Sequence, residues 1–414
     1  MKKLLVGTAA IALGFGLAAP AKAADKDGVK LGLGGYFMGY MSWLDQDEEV
    51  NIDASADGSI EDVRAFDIQR ETEIHFTGET TLDNGLTVGF HAEAEADGFA
   101  GGAGDTFNIE ESYAYFSGAW GRVNFGSEDG AAFLLQVSAP SADGNIDGVR
   151  QQVQPVNLAA TTVGVNVAAT NAAATAAGAN ALNLGNTRFD YDNNPARSDN
   201  KLTYMTPVFN GFQFGASYTP DLGSGLNDWT PGNASDDQVD DYGSVWEVAG
   251  RYEGQLGDVG VALGGGYSHV NLEDENLVDG IAGLLDDNTR WNAGLDLNWG
   301  AFGLGAAYLN NDHGWDLDAD ETVWVVGVDY TTGPFKLGGS YYNNTQELDG
   351  IVNAANSGDA EMDRWMAGVT YTYGPGMTFR GSVGFADYEL PIAMVPVNND
   401  TDATFVMLGT QINF

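Results

Sequence analysis

Apolar and polar residues alternate along most of the chain, and the last segment shows it most plainly. Phe414, Ile412, Thr410, Leu408, Val406 and Thr404 fall on one side, and Asn413, Gln411, Gly409, Met407 and Phe405 on the other. Successive side chains of a β-strand point to opposite faces, so a period of two marks a strand between unlike surroundings. The same period predicts sixteen strands: 29–43, 66–79, 85–96, 108–117, 120–128, 198–206, 211–220, 243–253, 257–271, 290–299, 302–311, 321–331, 335–344, 362–373, 377–389 and 402–414. In 290–299 the apolar side is Trp291, Ala293, Leu295, Leu297 and Trp299, while Asn292, Gly294, Asp296 and Asn298 oppose it. Trp324, Val326, Val328 and Tyr330 form the apolar side of 321–331, and Trp365, Ala367, Val369, Tyr371 and Tyr373 that of 362–373.

The connections alternate in length. Short ones such as Leu82-Asp83-Asn84-Gly85, Thr332-Gly333-Pro334 and Gly374-Pro375-Gly376 carry turn chemistry. Long ones fall at 44–65, 97–107, 129–197, 221–242, 272–289, 312–320, 345–361 and 390–401. An even strand number with short turns on one side and long loops on the other predicts an all-β fold: a transmembrane antiparallel up-and-down barrel. Aromatic residues gather at the strand ends as interface girdles do. Trp246, Trp291, Trp324 and Trp365 mark the long-loop end, and Trp120, Trp299, Tyr330, Tyr373 and Phe414 the short-turn end.

Residues 1–23 read as a cleaved secretory signal peptide: Lys2 and Lys3, an apolar stretch from Leu4 to Ala19, then Ala21-Lys22-Ala23. The barrel domain is then 24–414. Beyond the leader no apolar run reaches the ~18 residues of a membrane helix, and in lipid only helices and closed barrels satisfy every backbone group. The chain carries 17 Lys and Arg against 59 Asp and Glu, a formal charge of −42, and no cysteine. That acidity argues against a nucleic-acid partner, whose phosphates demand basic residues. The lack of cysteine excludes disulfides and thiolate chemistry.

The segments FDIQRETEIHFTGETTLDNGLTVGFHAEAE (66–95), IEESYAYFSGAWGRVNFGSEDGAAF (109–133), DNKLTYMTPVFNGFQFGASYTPD (199–221) and ATFVMLGTQINF (403–414) resemble the general porins of Gram-negative bacteria, the alphaproteobacterial type most of all. The likeness lies in their order and spacing over nearly the whole chain. It implies a homotrimer of 16-stranded barrels in the outer membrane, each a water-filled pore narrowed by its third outer loop, here 129–197. It also implies contact with outer-membrane lipid and lipopolysaccharide, and a role for the terminal aromatic, Phe414, in assembly.

The third connection has two parts. Asp129 to about Arg150 carries Asp143, Asp147 and Arg150 with Gly144 and Gly148; 157–185 is rich in Ala, Asn and Thr and has no charge. Asp143 and Asp147 are the acids expected at the constriction. Arg122, Lys201, Arg251, Arg290, Lys336, Arg364 and Arg380 share the polar sides of their strands, since a lipid-facing Arg at midplane would cost about 2–4 kcal/mol. Some of them should face the two loop acids and set a transverse field. On strands two and three, Glu71, Glu73, His75, His91, Glu93 and Glu95 share one polar face. With Asp83-Asn84 at the tip, His75 should lie nearly opposite His91, and Glu73 opposite Glu93. Such a wall reads as a divalent-cation site, a pH-sensitive charge, or solvated lining. The resembled porins commonly carry arginines there, so Glu and His imply a more cation-preferring pore.

Acids crowd the outer loops: Asp45, Asp47, Glu48, Glu49 and Asp53 in the first, Asp312, Asp316, Asp318, Asp320 and Glu321 in the sixth. They could attract Ca²⁺ or Mg²⁺; no other cofactor is called for. Glu321 and Gly327 stand where an EF-hand loop needs Gly and Glu, which rejects that motif. No G-x-S-x-G, H-E-x-x-H or phosphate loop accompanies the four histidines, so no catalytic residue is expected. The leading expectation is a passive diffusion channel for small hydrophilic solutes and ions. The rivals are a substrate-specific channel and a surface-structural or adhesive barrel with cation-binding loops.

Overall fold

The computed structural model describes residues 28–47, 63–96, 108–157, 189–222, 242–273, 286–314, 320–347, 358–389 and 400–414. The leader, the charge-free stretch after Asn157, and Glu48, Glu49, Asp53, Asp316 and Asp318 lie outside these residues. The strands are β1 (Lys30–Gln46), β2 (Phe66–Thr81), β3 (Thr87–Glu95), β4 (Asn108–Gly118), β5 (Gly121–Ser127), β6 (Asn200–Met205), β7 (Phe212–Thr219), β8 (Tyr242–Leu256), β9 (Val259–Leu272), β10 (Asn288–Trp299), β11 (Phe302–Asn311), β12 (Glu321–Thr332), β13 (Phe335–Glu347), β14 (Asp359–Gly374), β15 (Met377–Glu389) and β16 (Asp400–Asn413). Their limits fall within three residues of those the alternation predicts, and β11 and β15 coincide with them. A one-turn helix, α1 (Ala131–Leu134), opens the third connection.

Each strand pairs antiparallel with its sequence neighbours, and β1 pairs with β16 to close the ring. The seam runs from Tyr36 opposite Asn413 to Gln46 opposite Ala403. At its lower end Phe414 and Gly35 exchange both backbone hydrogen bonds, each 3.1 Å. Gly35 sits at φ +151°, and a Cβ there would strike the carbonyl of Glu73. Only glycine lets β1 bend at the point where it takes up its second partner.

The outer face is apolar and edged by stacked aromatics. At the long-connection end Tyr218 lies 4.3 Å from Trp246, Trp291 4.7 Å from Tyr308, and Tyr341 between Trp324 and Trp365. At the short-turn end Phe302 meets Tyr330, and Phe335 meets Tyr371. These two tiers frame the band that faces lipid.

Two expectations are corrected. Leu82 N–H donates to the Leu86 carbonyl and Thr81 pairs with Thr87, so the β2–β3 tip is three residues, Asp83-Asn84-Gly85, with Gly85 at φ +82°. The extra tip residue shifts the register. His75 opposes Glu93, Glu73 opposes Glu95, and His91 opposes Thr77. The inner face is also not uniformly polar. Met38, Met366, Phe405 and Met407 point inward and are buried with Ile146, Val153, Phe189 and Tyr191 of the third connection in one apolar cluster.

Deleting Phe414 removes both hydrogen bonds to Gly35 and exposes the seam. The truncated chain should give less folded, heat-modifiable barrel on semi-native gels, with unchanged conductance in the pores that form. A normal yield of folded barrel would contradict this role.

Candidate functional site

The third connection is built to lie on a wall. Its residues 129–157 bond to inward side chains on many strands. Arg364 on β14 donates to Asp147 Oδ1 through Nη2 (2.6 Å) and to the Ile146 carbonyl through Nη1 (3.0 Å), while Ser340 on β13 donates to Asp147 Oδ2 (2.5 Å). Arg364 is wholly buried, its guanidinium 4.7 Å from the Phe189 ring centre and 5.4 Å from that of Tyr342. Burial raises the Asp147 pKa, against the pull of the Arg364 charge and the Ser340 hydroxyl.

Asp143 is held by a second group. Arg380 on β15 pairs with its Oδ1, and the Tyr40 hydroxyl on β1 donates to its Oδ2 at 2.8 Å. Asn145 reaches Tyr40 and Gln411, so the contact straddles the seam. Farther round, Thr370 donates to the Ala142 carbonyl, Arg251 to the Gln136 carbonyl, and Gln69 to the Gln154 carbonyl. The connection also ties its own ends together: Arg150 bridges Asp192 (2.9 Å) and Asp129 (3.5 Å), above the Phe133 ring.

Glycine makes room for this packing. A Cβ at Gly294 on β10 or Gly327 on β12 would collide with Val137 or Pro140. The segment therefore lies directly on the barrel backbone, where side chains would hold it off. Inward-facing glycines on successive strands are a sequence signal for this contact, which alternation alone does not pick out. Nor does alternation pick out Tyr40, Ser340 and Tyr342, whose partners lie more than a hundred residues away.

The seven basic residues separate by environment. Only Arg364 and Arg380 meet the two loop acids, and they do so by direct contact, not across an opening. Lys201 is buried, its ammonium donating to the carbonyls of Glu128, Arg197 and Asp199. Arg251 pairs with Glu253 and Lys336 with Asp329. Arg122 lies over the Tyr115 ring and bonds Asn124; Arg290 bonds Asn288.

The β2–β3 wall has a different character. His75 Nε2 lies 3.0 Å from Glu73 Oε2 and 3.4 Å from Glu93 Oε1, and His91 Nε2 lies 3.3 Å from Glu93 Oε2. Tyr36 donates to Glu71 at 2.8 Å, Glu95 opposes Glu73, and Glu111 on β4 opposes Glu93. Glu111 in turn accepts the Asp129 N–H where the third connection begins.

A closed ring of sixteen strands, with an apolar exterior and a long connection bound to its inward side chains, narrows the comparison to pore-forming barrels. The Gram-negative porin family pattern matches residues 7–390. The chain belongs to that family. Its barrel is that of an outer-membrane channel. Among solved structures it is similar to the anion-selective porin from Comamonas acidovorans, at 18% identity over 93% of this chain and 100% of that one, with a TM-score of 0.57. It is similar also to the outer membrane channel DcaP of Acinetobacter baumannii: 12% identity, 94% and 99% covered, TM-score 0.57. The trimer form of OmpT of Vibrio cholerae gives 13% identity, 94% and 100% covered, TM-score 0.54. At these identities the likeness carries the fold. No curated protein sequence matches the chain.

In this porin, Arg364→Met would leave the Asp147 carboxylate buried without its counter-ion. That should cost about 3–5 kcal/mol of stability and lower the temperature at which the folded band disappears on gels. Arg364→Met with Asp147→Leu should recover much of the loss. A single variant as heat-stable as the parent would contradict the buried pair.

Proposed function

We propose that this porin is a passive channel for small hydrophilic solutes and ions that prefers cations. The third connection narrows it from within. A single segment bonded to inward side chains on β1, β2, β8, β13, β14 and β15 has that position as its simplest geometry.

The observation that carries cation preference is how the wall charges are disposed. Five of the seven inward basic residues are spent on the fold: Arg364 and Arg380 on loop acids, Arg251 and Lys336 on wall acids, Lys201 on carbonyls. The β2–β4 wall instead brings Glu71, Glu73, Glu93, Glu95 and Glu111 together with two imidazoles. Clustered carboxylates raise the local concentration of cations. The Comamonas protein is described as anion-selective, but a likeness of 18% identity does not transfer its charges.

We also propose a homotrimer. Strands β5, β6 and β7 hold 7, 6 and 8 residues. At about 3.3 Å per residue and a tilt near 40°, they rise only ~15–20 Å, less than the ~25 Å apolar band of a lone barrel. Phe125, Leu202 and Phe214 are nonetheless exposed there. Neighbouring copies would cover this low stretch.

One bilayer experiment tests both readings. The protein should insert as a unit that closes in three equal steps, and a KCl gradient should give a reversal potential of cationic sign. An anionic sign would overturn the preference, and single-step closure the trimer.

A further inference from the structure

Two imidazoles on the open wall converge on one carboxylate, an arrangement that neither passive diffusion nor the strand pairing requires. Glu73-x-His75 on β2 and His91-x-Glu93 on β3 each put a carboxylate and an imidazole on the same face, two residues apart. The three-residue tip then sets His75 directly across from Glu93, with His91 beside it opposite Thr77. A two-residue tip at Asp83-Asn84 would have set His75 across from Ala92 instead. The register thus assembles the cluster.

Its dimensions are those of a metal centre. One ligand atom each from His75, His91 and Glu93 lies within 4.8 Å of the other two. The two nitrogen-to-carboxylate distances are 3.4 Å and 3.3 Å. Two ligands of a tetrahedral centre with bonds of 2.0–2.1 Å sit about 3.4 Å apart. Glu73, 3.0 Å from His75 Nε2, stands beside the cluster as a fourth donor. The rings are placed by their neighbours: His91 stacks on Tyr113 with centroids 5.3 Å apart, and meets His75 edge-on at 5.4 Å. Tyr36 packs its edge on His75 from the other side. All three ligands are only partly buried, which leaves water a route to them.

The donor set selects the ion. Calcium and magnesium take oxygen ligands. Two imidazole nitrogens with carboxylate oxygen suit late first-row divalent ions such as Zn²⁺. We infer that His75, His91 and Glu93 form a site for a zinc-class divalent cation on the wall of the pore, with Glu73 completing it. The bound ion displaces the imidazole-to-carboxylate hydrogen bonds and brings positive charge to the most acidic part of the described wall. Occupancy therefore opposes the passage of other cations.

The test is equilibrium titration of the chelator-stripped, detergent-solubilised full-length protein with ZnCl₂, with MgCl₂ in parallel. It does not depend on whether the protein conducts. One saturable Zn²⁺ per chain is expected, with Mg²⁺ failing to compete at equal concentration. His75→Gln with His91→Gln should weaken zinc binding about tenfold or more, and His269→Gln should not. His91→Gln alone serves if the double variant folds poorly. In bilayers, ZnCl₂ should reduce the parent's KCl current, each protein being compared with its own zinc-free current, and should lose that effect in the variant. Zinc binding that does not saturate, that Mg²⁺ displaces equally, or that survives the histidine substitutions would overturn the site.

Discussion

Backbone hydrogen bonding in a solvent that offers none is the constraint on which this structure depends. Each strand must find both neighbours inside the protein, and the first must find the last. The β1–β16 seam supplies that final pairing, ending on the double hydrogen bond between Gly35 and Phe414. Closure divides every strand's side chains into an outward and an inward set with no third choice. The outward set is apolar and ringed by aromatics. The inward set is free to hold charge, and all of the distinctive chemistry lies there.

The inward set is itself divided. Along β9 to β16 and into β1, small and apolar side chains lie beneath the third connection, and its acids are met by Arg364, Arg380, Ser340 and Tyr40. Ion pairs buried in this way gain little net stability over an apolar contact, because both charges must leave water. What they do is fix position: Asp147 has one place where its charge is satisfied. Along β2 to β4 the wall keeps a cluster in which His75, His91, Glu93 and Glu95 are only partly covered and Glu71, Glu73 and Glu111 are buried. Arg251, Arg364 and Arg380 sit under the segment, and a dense group of acids lies on β2 to β4.

Strand number, limits and facing were legible because a period of two survives in a single sequence wherever lipid lies on one side, as in 302–311 and 377–389. The β2–β3 register was missed because Asn84 can occupy a tip of two or three residues, and one residue decides which pairs meet. Which basic residues meet Asp143 and Asp147 was not legible: those contacts span more than two hundred positions, and alternation says only that Arg364 and Arg380 point inward. Alternation places Phe405 and Met407 on the side away from lipid but does not say what they meet, because an apolar residue facing a packed loop reads the same as one facing water. The inward glycines at 294 and 327 would have separated those cases, since a wall that faces only water has no need to be bare.

The third connection is held against the wall at its described positions. The protein has no cysteine, so an engineered pair reports on this contact alone. A Cβ at position 368 would lie 3.2 Å from that of Ala142, near the separation a disulfide spans. In the protein carrying Ala142→Cys and Gly368→Cys, single-channel conductance should be the same before and after oxidation, with the cross-link formed in the folded barrel. A pair that does not cross-link, or a conductance that changes when it does, would contradict a connection already held in that place.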